Sequence, residues 1–260
     1  MTKRLLNGSE LAGFIKERQV KAVRGLRQAH KIMPRLAIIQ TKDDPVINTY
    51  VRLKKAYGND ILVEVDVHRI DQAEAKTTIK RLNQDDHIHG IIVQLPLANT
   101  AETDKICNLV DPSKDVDALG EAAELQPATP MAIMWLLAGY NVQLKNKIIL
   151  LIGRGKLVGA PLEKIFKTSG HQVTLADRKT QNLNTLSKSA DIIITATGSP
   201  SILDSSMIKP GAVVVDAGVA SESGKTVGDV AEDVYGRSDI TITPARCGVG
   251  PLTVCALFEN

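Results

Sequence analysis

Two sets of residues have the types and spacing to do chemistry. Tyr50 and Lys54 stand four apart in VINTYVRLKKAYG, a spacing that puts both on one face of a helix, where a phenol and an amine can approach the same substrate atom. An isolated pair at this spacing also suits a solvated helix surface. The second set lies in KIILLIGRGKLVGAP, residues 147–161. Its apolar run, Lys147 to Ile152, is what a parallel strand buried on both faces looks like. The run stops at Gly153-Arg154-Gly155, where glycine lets the backbone turn sharply and approach a ligand. A helix starting near Val158 to Pro161 would then aim its free N–H groups at an anion. That is the arrangement of a dinucleotide pyrophosphate site. The spacing G-x-G-x-x-x-G is longer than the usual fingerprint, so locally it also suits an ordinary strand-to-helix turn.

The elements that must position these residues form a β-α-β pattern in each half of the chain. A helix capped by Ser9 extends to about His30, with Leu11, Phe14, Ile15, Ala22, Val23 and Leu26 at helical spacing. Leu36 to Gln40 predicts a buried strand, after which Pro45 opens a helix carrying Thr49 to Gly58. Ile61 to Val67 predicts a strand, Gln72 to Leu82 a helix, Gly90 to Gln94 a strand stopped by Pro96, and Glu102 to Leu109 a helix leading into DPSKDVDALG. Ala122 to Tyr140 is a helix-rich bridge entered through Pro127 and Pro130. Beyond it come a strand at 147–152, a helix at 160–168, a strand Gln172 to Ala176 and a helix Leu183 to Ser187, then strands Asp191 to Ala196, Gly211 to Asp216 and Ile240 to Thr243.

The expected fold class is therefore α/β, in two domains with a cleft: an N-terminal three-layer α/β domain and a C-terminal Rossmann-like dinucleotide-binding domain. The expected boundaries are 1–121 for the first, with the C-terminal segment 245–260 packing back toward it, and 122–244 for the second. Ligands of such sheets sit at the carboxyl ends of strands. In the second half those ends carry Gly153 to Gly155, Asp177 and Arg178, Thr197 and Gly198, Ala217 to Val219, and Pro244 onward. They are mostly small, as a flat dinucleotide lying across them would require.

Composition narrows the classes. In 260 residues, 43% are hydrophobic and only 3% aromatic, so there is material for a real core but it must be built of Leu, Ile, Val and Ala. A formal charge of +3, with Lys and Arg dispersed, gives no footprint for nucleic acid. No apolar run reaches the roughly 18 residues of a membrane span, and the N-terminal apolar segment is too short for a signal peptide, so a soluble cytoplasmic protein is expected. Cys107, Cys247 and Cys255 form no C-x-x-C pair, and His87 and His89 lie on one strand or loop, so neither a disulfide framework nor a metal site is expected.

The ordered set GIIVQLPL (90–97), DPSKDVDALG (111–120), QPATP (126–130), LIGRGKLVGAP (151–161), ADIIITATGSP (190–200), KPGAVVVDAGV (209–219), GDV (228–230) and ITPARCGVGPLT (242–253), together with VINTYVRLKKAYG, resembles the successive motifs of the bifunctional methylenetetrahydrofolate dehydrogenase/methenyltetrahydrofolate cyclohydrolase family. Short-chain dehydrogenases also use Tyr and Lys at this spacing, but there the glycine motif comes first and on the same domain. The resemblance implies oxidation of 5,10-methylenetetrahydrofolate by a nicotinamide dinucleotide and hydrolysis of the methenyl product to 10-formyltetrahydrofolate, in a homodimer. It implies Lys54 as the catalytic lysine, Tyr50 packing on the folate, Gln94 as the lysine's hydrogen-bond partner and Asp117 as the carboxylate that holds the pterin. Val93, Leu95, Gly248, Val249, Gly250 and Pro251 would complete the folate side. A lysine serving a cationic intermediate should be partly neutral, which burial in a cleft favours.

The strand ends and the resemblance together assign Gly153, Arg154, Gly155, Val158, Asp177, Arg178, Thr197, Gly198, Val219 and Thr243 to the cofactor. Asp177 stands 24 residues after Gly153, where an acidic residue accepts from ribose hydroxyls and repels a 2′-phosphate. Arg178 beside it and Arg154 could clamp that phosphate. Two cations against one carboxylate favour NADP, with NAD used measurably. The chain departs from the family pattern at Gly155 (usually Ser), Ile47 (usually Ser), Ala128 in Pro-Ala-Thr-Pro (usually Cys) and Arg246-Cys247 (usually Pro-Gly). The changes bear on rates and on whether both steps are retained. An enzyme limited to the dehydrogenase step stays open, while the presence of Lys54, Gln94 and Asp117 argues against a binding protein that has lost catalysis.

Overall fold

Strands built almost wholly of Ile, Val, Leu and Ala have no polar face to give to water, so they collect into parallel sheets covered on both sides. The computed structural model describes residues 4–222 and 225–260. In chain order its elements are β1 (Arg4–Leu5), α1 (Gly8–Ala29), β2 (Arg35–Gln40), α2 (Pro45–Asp60), β3 (Glu64–Arg69), α3 (Ala75–Asn83), β4 (Gly90–Val93), α4 (Thr103–Cys107) and α5 (Ala128–Gly139). They continue with β5 (Ile149–Ile152), α6 (Gly159–Thr168), β6 (Val173–Ala176), α7 (Leu183–Ser189), β7 (Ile192–Thr195), β8 (Val213–Asp216), β9 (Ala220–Glu222), β10 (Lys225–Val227), β11 (Thr241–Ile242) and α8 (Gly250–Glu259). Two compact units result, Gly13–Ala128 with Val254–Asn260, and Met1–Ala12 with Thr129–Thr253. No helix among the described residues is long and apolar enough to cross a membrane.

In the first unit the sheet order is β3-β2-β4, all parallel. The chain leaves β2 for one neighbour and returns to the other, so the topological switch point, where α/β sheets bind ligands, lies between the ends of β2 and β4. Helix α2 begins where Asp44 accepts from the N–H groups of Val46 at 2.9 Å and Ile47 at 3.4 Å, with Pro45 in the first turn; such a cap stabilises by about 1 kcal/mol. Ile47, Val51 and Gly58 form its buried face. A Cβ on Gly58 would lie 2.4 Å from Val65 Cγ2, so only glycine lets the helix approach β3 this closely.

The strand expected at Ile61–Val67 starts later. Helix α2 runs to Asp60, Leu62 turns the chain at φ 66°, and β3 begins at Glu64. Ile61 and Val63 are buried as plugs of that turn, which gave them the look of a strand. The helix-rich bridge reduces to α5, preceded by irregular chain over 123–127.

The second unit holds a parallel sheet of order β1-β11-β8-β7-β5-β6, whose switch point lies between β5 and β7. Leu150, Ile152, Ile193, Val214 and Ile242 meet in one buried cluster beneath it. Two features differ from the expected division. Arg4–Leu5 pairs with Thr241–Ile242, so residues 4–12 go with this sheet, and only Val254–Asn260 of the C-terminal segment belongs with the first unit. A strand of two residues has no periodicity to read. Residues 1–3, which open the expected first domain, lie outside the described residues. The antiparallel pair β9–β10 comes from a polar stretch without alternation and was not expected.

Candidate functional site

The switch point of the first unit is where the reactive residues converge. Lys54, one turn along α2 from Tyr50, donates from Nζ to Gln94 Oε1 at 3.0 Å. Gln94 follows the last residue of β4 and donates from Nε2 to the Leu95 carbonyl at 3.0 Å, which fixes its oxygen toward the lysine. Burial lowers the Lys54 pKa by penalising the ammonium, and the negative charge of Asp117 partly opposes the shift. The structure therefore brings Lys54, Gln94 and Asp117 into one electrostatic neighbourhood. Tyr50 is 36% exposed, and burial raises its phenol pKa, so it presents a neutral ring and hydroxyl. Val93 is 3% exposed and packs into the core around Ile39 and Ile91, so its side chain is not on offer to a ligand; Leu95 is half-buried.

Residues that the sequence did not single out hold this site in place. Asp115 is buried and accepts the Gly120 N–H at 2.7 Å; burial pushes its carboxyl up while backbone donors pull it down. The Lys114 carbonyl accepts from Ile91 N–H at 2.7 Å, and Lys114 Nζ reaches the Asn83 and Asp85 carbonyls, each at 2.9 Å, at the end of α3. The loop that carries Asp117 is thus pinned to β4 on one side and α3 on the other. At the end of β2, Gln40 is buried and its Nε2 donates to Asn48 Oδ1 at 2.7 Å, tying that strand end to the start of α2. A glutamine closing an apolar strand, seen at both Gln40 and Gln94, is the signal that could have found it.

In the second unit the glycines divide their work. Gly153 adopts φ 113°, and a Cβ there would meet the Ala196 carbonyl at 2.4 Å. A Cβ on Gly159 would meet the Gly153 carbonyl at 2.0 Å, whereas one on Gly155 would meet nothing within 4 Å. Gly153 and Gly159 are therefore demanded by the turn and by the packing of α6 on β5, and Gly155 faces open space. Val158, at the start of α6, gives no side-chain cap; the Ala160 N–H goes to the Gly155 carbonyl at 3.0 Å and Pro161 has no N–H, so the Gly159 N–H and the helix dipole are what the start of this ten-residue helix offers an anion. A pyrophosphate fits this cradle. Arg154, Arg178 and Val219 are exposed around it, and Gly198 turns at φ 65° after β7.

Six assigned residues stand differently from expectation. Thr243 is fully buried and its hydroxyl accepts the Asp216 N–H at 2.9 Å, so it braces the end of β8. Asp177 turns Oδ1 onto its own loop, accepting the Lys179 N–H at 2.8 Å, while its N–H donates to Thr180 Oγ1 at 2.9 Å. The Asp–Arg–Lys–Thr sequence is a closed turn. Gly248, Val249, Gly250 and Pro251 lie in the second unit; Val249 is buried, and Cys247, exposed, holds φ 65° where the family pattern has glycine. His89, weighed with His87 as a ligand pair, instead accepts the Arg35 N–H on Nδ1 at 3.2 Å.

Comparison with known proteins gives the same two-part picture. Residues 6–117 match the family described as tetrahydrofolate dehydrogenase/cyclohydrolase, catalytic domain, and residues 127–260 match its NAD(P)-binding domain. The chain is 36% identical over 269 residues to the bifunctional protein FolD of Acholeplasma laidlawii, covering 98% of this chain and 96% of that one. The bifunctional FolD methylenetetrahydrofolate dehydrogenase/cyclohydrolase of Campylobacter jejuni superposes with a TM-score of 0.93 at 36% identity, over 99% and 96% of the two chains. The Trypanosoma brucei methylenetetrahydrofolate dehydrogenase-cyclohydrolase, solved with NADP cofactor and inhibitor, superposes with a TM-score of 0.93 at 27% identity, over 100% and 96%.

Proposed function

The chain belongs to the tetrahydrofolate dehydrogenase/cyclohydrolase family, and on that premise we propose that it oxidises 5,10-methylenetetrahydrofolate with NADP and hydrolyses the methenyl product to 10-formyltetrahydrofolate. The observation that carries the reading is Lys54, shifted toward its neutral form by burial and held by Gln94 at a strand-end switch point. The dinucleotide, when bound, supplies the hydride acceptor. In hydrolysis, water adds to the methenyl carbon with loss of one proton, and the bond from that carbon to N5 then breaks as the hydroxyl proton passes to N5, leaving the formyl group on N10. A neutral Lys54 amine can take the proton that the attacking water sheds. Its hydrogen bond to Gln94 uses one N–H and fixes the amine's orientation, and Asp117 keeps the pKa from falling so far that the amine ceases to be a useful base.

On this reading the first unit is the folate-binding catalytic domain, with Tyr50 against the folate and Asp117 accepting from the pterin's donors. The second is the dinucleotide domain, with the pyrophosphate over Gly155 and the start of α6, and Arg154 and Arg178 toward the 2′-phosphate. The enzyme works as a homodimer in the cytoplasm; sedimentation yielding a particle of twice the chain mass, and cell fractionation, test those two points. The activity is tested by assaying the purified protein with methylenetetrahydrofolate plus each dinucleotide, and with methenyltetrahydrofolate alone. Turnover in both assays is the expected result. No dinucleotide reduction, or no hydrolysis above the uncatalysed rate, overturns the corresponding half.

A further inference from the structure

Two carboxylates beneath the second sheet's strand ends, one buried and one half-buried, belong to neither set of expected site residues. Asp229 is fully buried and spends both oxygens on one loop: Oδ2 accepts the Thr197 N–H at 2.6 Å and Oδ1 the Ser199 N–H at 2.9 Å. Those amides flank Gly198, the turn that ends β7 at the switch point. Asp216, at the end of β8, in turn holds the segment bearing Asp229. Its Oδ1 accepts the Asp229 N–H at 3.1 Å, and its Oδ2 accepts the Val230 N–H and the Tyr235 hydroxyl, both at 3.1 Å.

The glycines beside the pair show how closely the two segments are packed. A Cβ on Gly218 would lie 2.0 Å from Asp229 Cγ, and one on Gly228 would lie 2.0 Å from Asp216 Oδ2. Neither glycine is among those in the left-handed region, so backbone conformation does not require them. They are glycine because each leaves room for the other segment's carboxylate. Burial, and after it the neighbouring charge of Asp216, raise the Asp229 pKa against the pull of its backbone donors. Two acidic groups are thus kept close, each held by the donors it accepts from.

We propose that Asp229 is a positioning residue for the dinucleotide: through the Thr197 and Ser199 amides it sets the height of the β7 loop beside Gly153, with Asp216 as its support. This rests on reading the second unit as the dinucleotide domain. The loop must leave a flat floor next to Gly153, whose own would-be Cβ sits 2.4 Å from the Ala196 carbonyl at the root of the same loop. Small displacements of that loop therefore fall directly on the glycine turn. Asparagine at 229 would satisfy one amide and set its own NH2 group against the other.

The test separates dinucleotide binding from folding, because hydrolysis of methenyltetrahydrofolate alone needs no dinucleotide. Asp229→Asn is expected to raise the NADP dissociation constant by about 10- to 100-fold, the scale of a lost charge-assisted hydrogen bond, while kcat for hydrolysis stays within about twofold and glutamate at 229 fails to rescue. Unchanged NADP affinity in a folded Asp229→Asn protein overturns the proposal, as does an equal loss of hydrolysis and NADP binding, which would mean a general structural role. Hydrogen exchange on the wild-type protein gives a readout that needs no variant. The Thr197 and Ser199 amides should be strongly protected without NADP, and exchange at open-loop rates refutes the clamp. Wild-type protein that binds no NADP would instead defeat the functional reading, leaving the clamp to be judged by exchange alone.

Discussion

Replacing Lys54 by Met keeps the unbranched side chain to within one atom of its length and removes two things, the hydrogen bond from Nζ to Gln94 Oε1 at 3.0 Å and the titratable amine. If the amine is the base of the hydrolytic step, its loss should slow hydrolysis by about 10²- to 10⁴-fold, or about 2.7–5.4 kcal/mol of barrier. The stability change should have the opposite sign near neutral pH. Burial holds the folded-state pKa of Lys54 below the ordinary 10.5, so between those two values the unfolded chain binds more protons than the folded one, and stability rises with pH through that window. Below the folded-state pKa the wild type carries the full cost of the buried ammonium, which Met does not. Lys54→Met should therefore be at least as stable as wild type at pH 7, less about 1 kcal/mol for the lost hydrogen bond, with its relative advantage shrinking as pH approaches 10.5. Thermal denaturation across that range, beside hydrolysis of methenyltetrahydrofolate, measures both. A folded Lys54→Met protein with wild-type hydrolysis refutes the role of the amine, and an advantage that grows with pH refutes the depressed pKa.

Asp117→Ala should weaken folate binding while leaving NADP affinity nearly unchanged in titrations; the opposite pattern would put this loop on the other ligand. Gly159→Ala, whose Cβ would lie 2.0 Å from the Gly153 carbonyl, should cost about 1–3 kcal/mol of stability by overpacking, measured as a lower denaturant midpoint. Gly155→Ala meets no protein atom within 4 Å and should unfold like wild type, yet bind NADP more weakly if the pyrophosphate crosses it. Asp177→Asn keeps an oxygen for the Lys179 N–H and should shift the NADP/NAD ratio of kcat/KM by less than about threefold. A wild-type preference for NAD that this variant reverses would show the carboxylate reaching the ribose after all.

Much of the fold was legible because buried parallel strands have nowhere to put polar side chains. Leu36 to Gln40, Gly90 to Gln94 and the run ending at Ile152 stand out as apolar blocks, and each became a strand within one or two residues of its expected limits. The failures share a cause. At Ile61 to Val63 the apolar residues fill a turn, and burial alone does not distinguish a plug from a strand. Arg4–Leu5 and the β9–β10 pair owe their conformation to a partner strand far away in sequence, and polar or two-residue segments carry no trace of it. The Lys54–Gln94 contact was anticipated through the family motifs; spacing alone placed Lys54 with Tyr50 and said nothing about residue 94.

Asp177 shows why charge counting is the wrong measure for a nucleotide pocket. From the sequence, one carboxylate and two guanidinium groups could only be summed, as though each acted on the ligand from an equal position. In the structure the three are not equivalent, since Asp177 has committed an oxygen to the Lys179 N–H and its own N–H to Thr180, while Arg154 and Arg178 remain exposed. With Oδ1 turned onto its own loop, the carboxylate is less well placed to make the paired hydrogen bonds by which it selects a ribose diol, and its effect on a 2′-phosphate is Coulombic and screened by water and salt. The same turn fixes the backbone on either side of Arg178 and so reduces the backbone entropy that segment must lose on meeting a phosphate. On the proposed reading, the residue that looked like the obstacle to NADP is a means of presenting Arg178 to it.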